Sequence, residues 1–208
     1  SRGLGDVYKR QRVGVLDINV DSAQETVDLI TQRGGEAVAL RGDVTREDEV
    51  RAAVEMVIAR WSALHILYNN AGVYWPGRDG SVADVDMDTW RRVLEINTNG
   101  VYLCCKCALP HLLRYVPACI VNVSSVAGFA GDRDNHAYAA SKSALHALTR
   151  SIALRYGPEG VRANLICPGF IDTPMVRGVL EDERVRDQIL QSTALRRLGQ
   201  PGDVAAAA

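Results

Sequence analysis

A chain of 208 residues, 47% hydrophobic and 24% charged, is long enough for one globular domain with a full core. A formal net charge of −1 gives no electrostatic reason to expect nucleic acid or an anionic membrane as partner. The five cysteines (Cys104, Cys105, Cys107, Cys119 and Cys167) are odd in number and do not form two Cys-x-x-Cys pairs, which speaks against a disulfide framework and a zinc site, so no metal is expected.

In chain order, Ser1-Arg2-Gly3-Leu4-Gly5 has the look of a glycine-rich nucleotide turn, but 12 positions separate Gly5 from Asp17. A strand–turn–helix–strand unit needs about 30 residues, with its acid about 20 beyond the turn. No strand precedes Gly3, and the stretch Asp6–Gln11 has no apolar stripe for a crossover helix. Ser1–Gln11 also matches the translated reading frame of a transposon-based sequencing adapter. It is therefore expected to be a non-native scar, with natural sequence from Arg12 to Ala208.

Val13–Asp17 reads as a buried parallel strand ending in an acid. Ser22 is placed to cap the helix that runs on to Gly34-Gly35. Ala37–Leu40 is the next strand, closed by Gly42-Asp43-Val44-Thr45, and Thr45 or Asp48 opens a helix with Val50, Ala53, Val54, Val57 and Ile58 on one face. His65–Tyr68 is a strand entering Asn69-Asn70-Ala71-Gly72. A loop covers Val73–Asp86, and a long helical stretch covers Asp88–Arg114, with Cys104, Cys105 and Cys107 expected to pack in it. Cys119–Val123 is a strand ending at Ser124-Ser125. A loop over Val126–Asn135 leads to a helix ending near Tyr156, terminated by Gly157-Pro158-Glu159-Gly160. Val161–Ile166 is the last strand, turned by Cys167-Pro168-Gly169, and charged helical pattern fills Val176–Arg197. Strands alternating with helices imply right-handed crossovers and a doubly wound parallel α/β sheet in one domain. No apolar run reaches the roughly 18 residues of a membrane span and no signal peptide is visible, so the cytoplasm is the expected location.

Tyr138-Ala139-Ala140-Ser141-Lys142 sets a phenol and an ammonium four apart on a helix, hence on one face. An unperturbed phenol, with a pKa of about 10, is a poor acid–base group at neutral pH, and a neighbouring cation favours its ionised form. By itself the pair is a weak signal, because such pairs often arise by chance on solvated helix faces. Ser125 stands at the carboxyl end of a strand, where open α/β sheets bind ligands; as a plain structural residue it would cap a turn. Asn97 interrupts the apolar pattern of its helix, which fits either a function or a local hydrogen bond with a kink.

Taken in order, Asn69-Asn70-Ala71-Gly72, Asn97, Ser125, Tyr138-x-x-x-Lys142 and Pro168-Gly169 resemble the compact branch of the short-chain dehydrogenase/reductase family, over Arg12–Ala208. The resemblance implies a Rossmann-like, three-layer α/β/α fold, a homodimer or homotetramer, and NAD(P)-dependent hydride transfer between a small-molecule alcohol and a carbonyl. It also implies roles. Tyr138 would exchange the proton on the substrate oxygen, and Lys142 would lower the Tyr138 pKa and bind the nicotinamide ribose. Ser125 would orient the substrate oxygen, and Asn97 would hold a water linking Lys142 to solvent. Asp43 and the Val44 backbone would contact adenine, with Asn70, Ala71 and Gly72 along the adenosine. Pro168, Gly169 and Thr173 would flank the nicotinamide carboxamide.

Asp17 decides the cofactor: a carboxylate there hydrogen-bonds a ribose 2′-hydroxyl and repels a 2′-phosphate, and Ile18 and Asn19 supply no cation. NAD is therefore expected over NADP; Arg2 would hint the other way, but it falls in the adapter-like segment. The family's first strand, glycine turn and first helix are missing, as is the strand beyond Ala208. The chain as given is expected to lack the pyrophosphate cradle, to leave a gap between the strands of Asp17 and Tyr68, and to be inactive. A non-catalytic dinucleotide-binding regulator is the competing function on this fold. Such proteins lose the Tyr or Lys, and here both are present. Tyr74, Trp75, His136 and Met175–Leu198 are expected around the substrate, whose identity stays open among a 3-oxoacyl thioester, a steroid, a sugar and a small secondary alcohol.

Overall fold

A computed structural model describes residues 11–208. The glycine-turn expectation and all but the last residue of the adapter-like Ser1–Gln11 fall on Ser1–Arg10, outside the described residues. Five strands alternate with helices: β1 (Arg12–Asp17), α1 (Val20–Gln32), β2 (Glu36–Arg41), α2 (Glu47–Trp61), β3 (Ile66–Asn69), α3 (Met87–Leu94), α4 (Gly100–Leu112), β4 (Ala118–Val123), α5 (Ala127–Ala130), α6 (His136–Tyr156), β5 (Val161–Ile166), α7 (Pro174–Leu180), α8 (Glu183–Ser192) and α9 (Pro201–Ala207). All strand pairs are parallel. β1 pairs with β2, and β3, β4 and β5 form a second ladder in that order. Among the described residues β1 and β3 do not pair, which is where the sequence places a gap. The architecture is the expected Rossmann-like α/β fold.

Several local expectations shift. Asn19, not Ser22, caps α1, its Oδ1 accepting the N–H groups of Asp21 (3.0 Å) and Ser22 (3.5 Å); Asn matches Ser as a capping acceptor and lies where the β1 chain turns. α2 starts at neither Thr45 nor Asp48. The Thr45 hydroxyl is spent on Asp43, and the helix opens behind Arg46 with Glu47, Asp48 and Glu49 against its N-terminal dipole. The stretch expected as one helix over Asp88–Arg114 is α3 and α4 joined by a π turn, Glu95–Asn99, centred on Asn97. The Val126–Asn135 loop contains the short α5, and α9 forms where no helix is expected.

The core sits between α4, α6 and the β3–β4–β5 sheet. Leu112, Ile120, Leu145 and Val161 are fully buried there, each contributing about 1.5–3 kcal/mol by leaving water. Cys104, Cys105 and Cys107 face inward from α4 as free thiols, and burial pushes those of Cys104 and Cys105 up to about 12. They are packing residues. A polar chain crosses this core: Asn69 Nδ2 donates to Asn122 Oδ1 (2.8 Å) and meets Cys105 Sγ (3.4 Å), Asn122 Nδ2 donates to Thr149 Oγ1 (2.8 Å), and that hydroxyl donates to the Leu145 carbonyl (2.7 Å). It ties β3 to β4 and α6. Among the described residues no helix is long and apolar enough to cross a membrane.

Candidate active site

The residues singled out from sequence gather at the carboxyl ends of the strands. Asp17 closes β1, Asn70 follows β3, Ser125 follows β4 and Pro168 follows β5. Side chains there are not consumed by the ladder, and the loops leave room for a ligand.

Ser124 and Ser125 carry the chain from β4 into α5. Ser124 Oγ donates to the Lys142 carbonyl (2.8 Å) and, its own proton spent, accepts from His146 Nε2 (3.0 Å). α5 can lie this close to α6 only because Gly128 has no side chain: a Cβ there would stand 2.8 Å from His146 Nε2 and 3.0 Å from the Lys142 main chain. Ser125 does cap a turn, accepting the Ala127 N–H (3.2 Å), and its hydroxyl favours the ionised form of the Tyr138 phenol.

Tyr138 and Lys142 share one face of α6, with Nζ 5.8 Å from the Tyr138 ring centre. Lys142 is 5% exposed and donates to the Val123 carbonyl (3.0 Å) at the end of β4. Burial drives its pKa down to about 8. Burial also raises the Tyr138 phenol, with the Ser125 hydroxyl pulling it back and the Asp132 carboxylate adding to the rise. The net direction is thus opposite to the lowering expected from Lys142. Desolvation of the phenol sets that direction in the cofactor-free protein.

Asn97 is fully buried. The π turn aims its amide at the loop after β3, where Oδ1 accepts the Val73 N–H (2.8 Å) and Nδ2 donates to the Val73 carbonyl (3.0 Å) and to Ser141 Oγ (3.1 Å). Ser141 Oγ in turn donates to the Tyr138 carbonyl (2.7 Å). Both amide N–H groups are therefore committed to protein, which leaves a water only the second Oδ1 lone pair. Gly72 passes between the two groups: a Cβ would lie 3.1 Å from Asn97 Oδ1 and 3.3 Å from Lys142 Nζ. Asn97, Ser125, Tyr138, Lys142 and Gly72 are thus brought together.

The other positions lie along the same rim. Asp17 Oδ1 accepts the Asn19 N–H (2.8 Å). Asp43 Oδ1 accepts from the Thr45 N–H and hydroxyl (both 2.8 Å), and Arg92 lies 3.7 Å from its other oxygen. Burial pushes the Asp43 carboxyl up, but Thr45 and Arg92 together hold it below its ordinary value. Val44 packs under Gly100 at the start of α4. The Pro168 carbonyl accepts the Val126 N–H (3.0 Å), Gly169 faces open space, and Thr173 precedes α7. Tyr74 meets Tyr138 edge-on with ring centres 5.0 Å apart, and burial lifts its phenol to about 12. Sequence reasoning missed Ser124, Ser141 and Asp79. Ser124 and Ser141 adjoin recognised motifs and could have been flagged; Asp79, in a Gly-Arg-Asp-Gly stretch, reads only as a turn.

A family model described as enoyl-(acyl carrier protein) reductase matches residues 9–208. The chain is 36% identical over 193 residues to the cyclohexanol dehydrogenase of Acinetobacter sp. (strain SE19), spanning 93% of this chain and 74% of that protein. It is also 36% identical to the meso-2,3-butanediol dehydrogenase of Serratia marcescens, over 98% of this chain and 80% of that one. Among solved structures, ligand-free aldohexose dehydrogenase of Thermoplasma acidophilum superposes with a TM-score of 0.80 and 28% identity, over 97% of this chain and 86% of that chain. Motif order, fold and relatives agree, and the chain belongs to the short-chain dehydrogenase/reductase family.

Proposed function

We propose that this oxidoreductase transfers hydride between NAD(H) and an alcohol or ketone, with Tyr138 as the general acid–base group. The observation that carries the reading is the half-buried Tyr138 phenol, whose ionised form the Ser125 hydroxyl favours, with the Lys142 ammonium one helical turn away and 5.8 Å from its ring centre. A nicotinamide ring, when bound, supplies the hydride acceptor or donor. Everything else falls to the protein.

A carbonyl oxygen between Tyr138 and Ser125 would take a hydrogen bond from each, and an alcohol there would donate to the Tyr138 oxygen. In ketone reduction Tyr138 gives its proton to that oxygen as negative charge develops there, and in alcohol oxidation it takes the proton away. Ser125 fixes the oxygen and stabilises the charge. Lys142 stabilises the tyrosinate that remains. Its ammonium has three N–H groups and, among the described residues, one acceptor, the Val123 carbonyl, so it suits a pair of ribose hydroxyls. The dinucleotide would be held by Asp17 at the adenosine ribose, by Asp43 and Val44 at adenine, and by Asn70, Ala71 and Gly72 along the adenosine. Pro168, Gly169 and Thr173 would hold the carboxamide end. Asp17 makes NAD the better fit than NADP, because its carboxylate accepts from a 2′-hydroxyl and repels a 2′-phosphate.

Tyr138→Phe in the full-length enzyme, with its first strand and glycine turn, tests the chemistry. It should lower kcat by about 10²–10⁴-fold with little change in NAD affinity; a variant retaining more than about a tenth of wild-type kcat sinks the assignment. Asp17→Ala combined with Ile18→Arg tests the cofactor. The ratio of kcat/KM for NADP over NAD should rise, and an unchanged ratio means Asp17 does not face the ribose.

A further inference from the structure

α6 starts without a cap of its own. Asn135 holds the N-cap position, yet its side chain makes no capping bond and its Oδ1 is buried without a partner among the described residues. The first N–H groups of α6 are satisfied from across the site by the loop between β3 and α3. His136 N–H donates to the Gly80 carbonyl (3.1 Å), Ala137 N–H to Asp79 Oδ1 (3.1 Å) and Tyr138 N–H to Asp79 Oδ2 (2.8 Å). Asp79 is 4% exposed, and its third donor is the Gly80 N–H (2.9 Å). A buried carboxylate held by backbone N–H groups at a helix N-terminus is stabilised by the hydrogen bonds and by the positive end of the helix dipole. Asp79 has taken the donors that Asn135 would ordinarily cap, which explains the orphaned amide oxygen.

The same loop grips the helix at two further points. Val82 N–H donates to His136 Nδ1 (2.9 Å), and Asn135 Nδ2 donates to the Tyr74 hydroxyl (3.2 Å). Tyr138 is therefore anchored through its own main-chain N–H to a residue 59 positions earlier, on a different element. Lys142 is anchored separately, to the end of β4.

We propose that Asp79 is a positioning residue for the reaction: by capping α6 from the opposite loop it fixes the main chain of Tyr138 and hence the reach of the phenol to the substrate oxygen beside Ser125. This rests on the reading of Tyr138 given above. Without Asp79, Asn135 is in place to cap the helix locally. The fold then survives, but the first turn no longer moves as one body with the loop, while Lys142 stays where it is. Catalysis and cofactor binding should come apart.

The test compares Asp79→Ala and Asp79→Asn with Asp86→Ala in the full-length enzyme, with its first strand and glycine turn. Asp86 is a cap of the same kind, accepting the N–H groups of Asp88 (3.0 Å) and Thr89 (2.8 Å), but it serves α3. Asp79→Ala should lower kcat about 100-fold, the cost of displacing a catalytic group by about 1 Å, and leave the Kd for NAD within about two-fold of wild type. Asp79→Asn, which keeps one acceptor oxygen and the side-chain shape, should fall between, and it carries the test if the alanine variant does not fold. Asp86→Ala should change neither quantity. A second readout needs no cofactor: Tyr138 ionisation, followed by phenolate absorbance as the difference between each protein and its Tyr138→Phe counterpart. In wild type, burial holds that ionisation above the ordinary tyrosine range. Release of the first turn should return it toward that range. Asp79→Ala with wild-type kcat and an unmoved Tyr138 titration overturns the proposal. So does an equal loss of turnover and NAD affinity with the titration unmoved, because that is what a purely structural residue gives. A fully active Tyr138→Phe variant would instead remove the reading of Tyr138 itself, and Asp79's role with it.

Discussion

Replacing Lys142 by Met should stabilise the cofactor-free protein at neutral pH, although it removes a group proposed for catalysis. Lys142 is 5% exposed, its ammonium has the Val123 carbonyl as partner, and burial lowers its pKa from 10.5 to about 8. Between those values the unfolded chain binds a proton that the folded chain does not, so stability rises with pH across the window. The penalty of burying the cation is full below the folded pKa and gone above the unfolded one. The lowering corresponds to about 3 kcal/mol at pH 7 and to less than half of that by pH 9.5. Met fills a similar volume without the charge, at the cost of an unpaired Val123 carbonyl, about 1–3 kcal/mol and independent of pH. The diagnostic quantity is therefore the pH dependence of the difference between the two proteins. Urea unfolding of both at pH 7 and pH 9.5 should favour the variant by about 2 kcal/mol more at the lower pH, other titrating groups cancelling in the comparison. A difference that is the same at both values, or that moves the other way, refutes the claim that the folded protein buries a strained cation.

Two further substitutions probe the same contacts. Gly72→Ala puts a methyl group between Asn97 Oδ1 and Lys142 Nζ, and Asn97 is tied by three hydrogen bonds, so Lys142 must give way. Thermal unfolding should report a loss of about 1–3 kcal/mol and kcat should fall with it; a wild-type kcat would show that the Lys142 head has slack. Asn97→Ala removes both bonds to the Val73 main chain, each worth about 1–3 kcal/mol when left unmade. The urea midpoint should drop accordingly, and an unchanged midpoint would mean that the loop after β3 is fixed elsewhere.

The strands were legible because short β-branched and apolar runs between glycine-rich turns have few other uses, and the spacing of Ser125, Tyr138 and Lys142 survives any small error in helix ends. Asn97 was legible as an anomaly: a polar residue in an apolar stripe marks the π turn, though not its geometry. Other features depend on what lies next to what. The upward displacement of the Tyr138 phenol follows from burial, which no local pattern reports. Asp79 caps a helix 58 and 59 residues further on, beyond any capping rule written in terms of neighbours. Near Asp17, Ile18 and Asn19 offer no cation, but parallel register sets Arg41 of β2 alongside Asp17. A search of the flanking residues alone does not find it.

The buried chain of amides from Asn69 through Asn122 to Thr149 has a consequence for how the domain assembles. Its links join residues 53 and 27 positions apart, so no local hairpin or helix can satisfy them in isolation. A partly formed sheet that excluded water early would trap an amide with nothing to bond, at a cost of about 1–3 kcal/mol per group. Half-built states are thereby penalised, and the last docking step is made all-or-none. β3, β4 and α6 should open to hydrogen exchange as a single unit; separate protection levels for the three would show that the amides do not couple them.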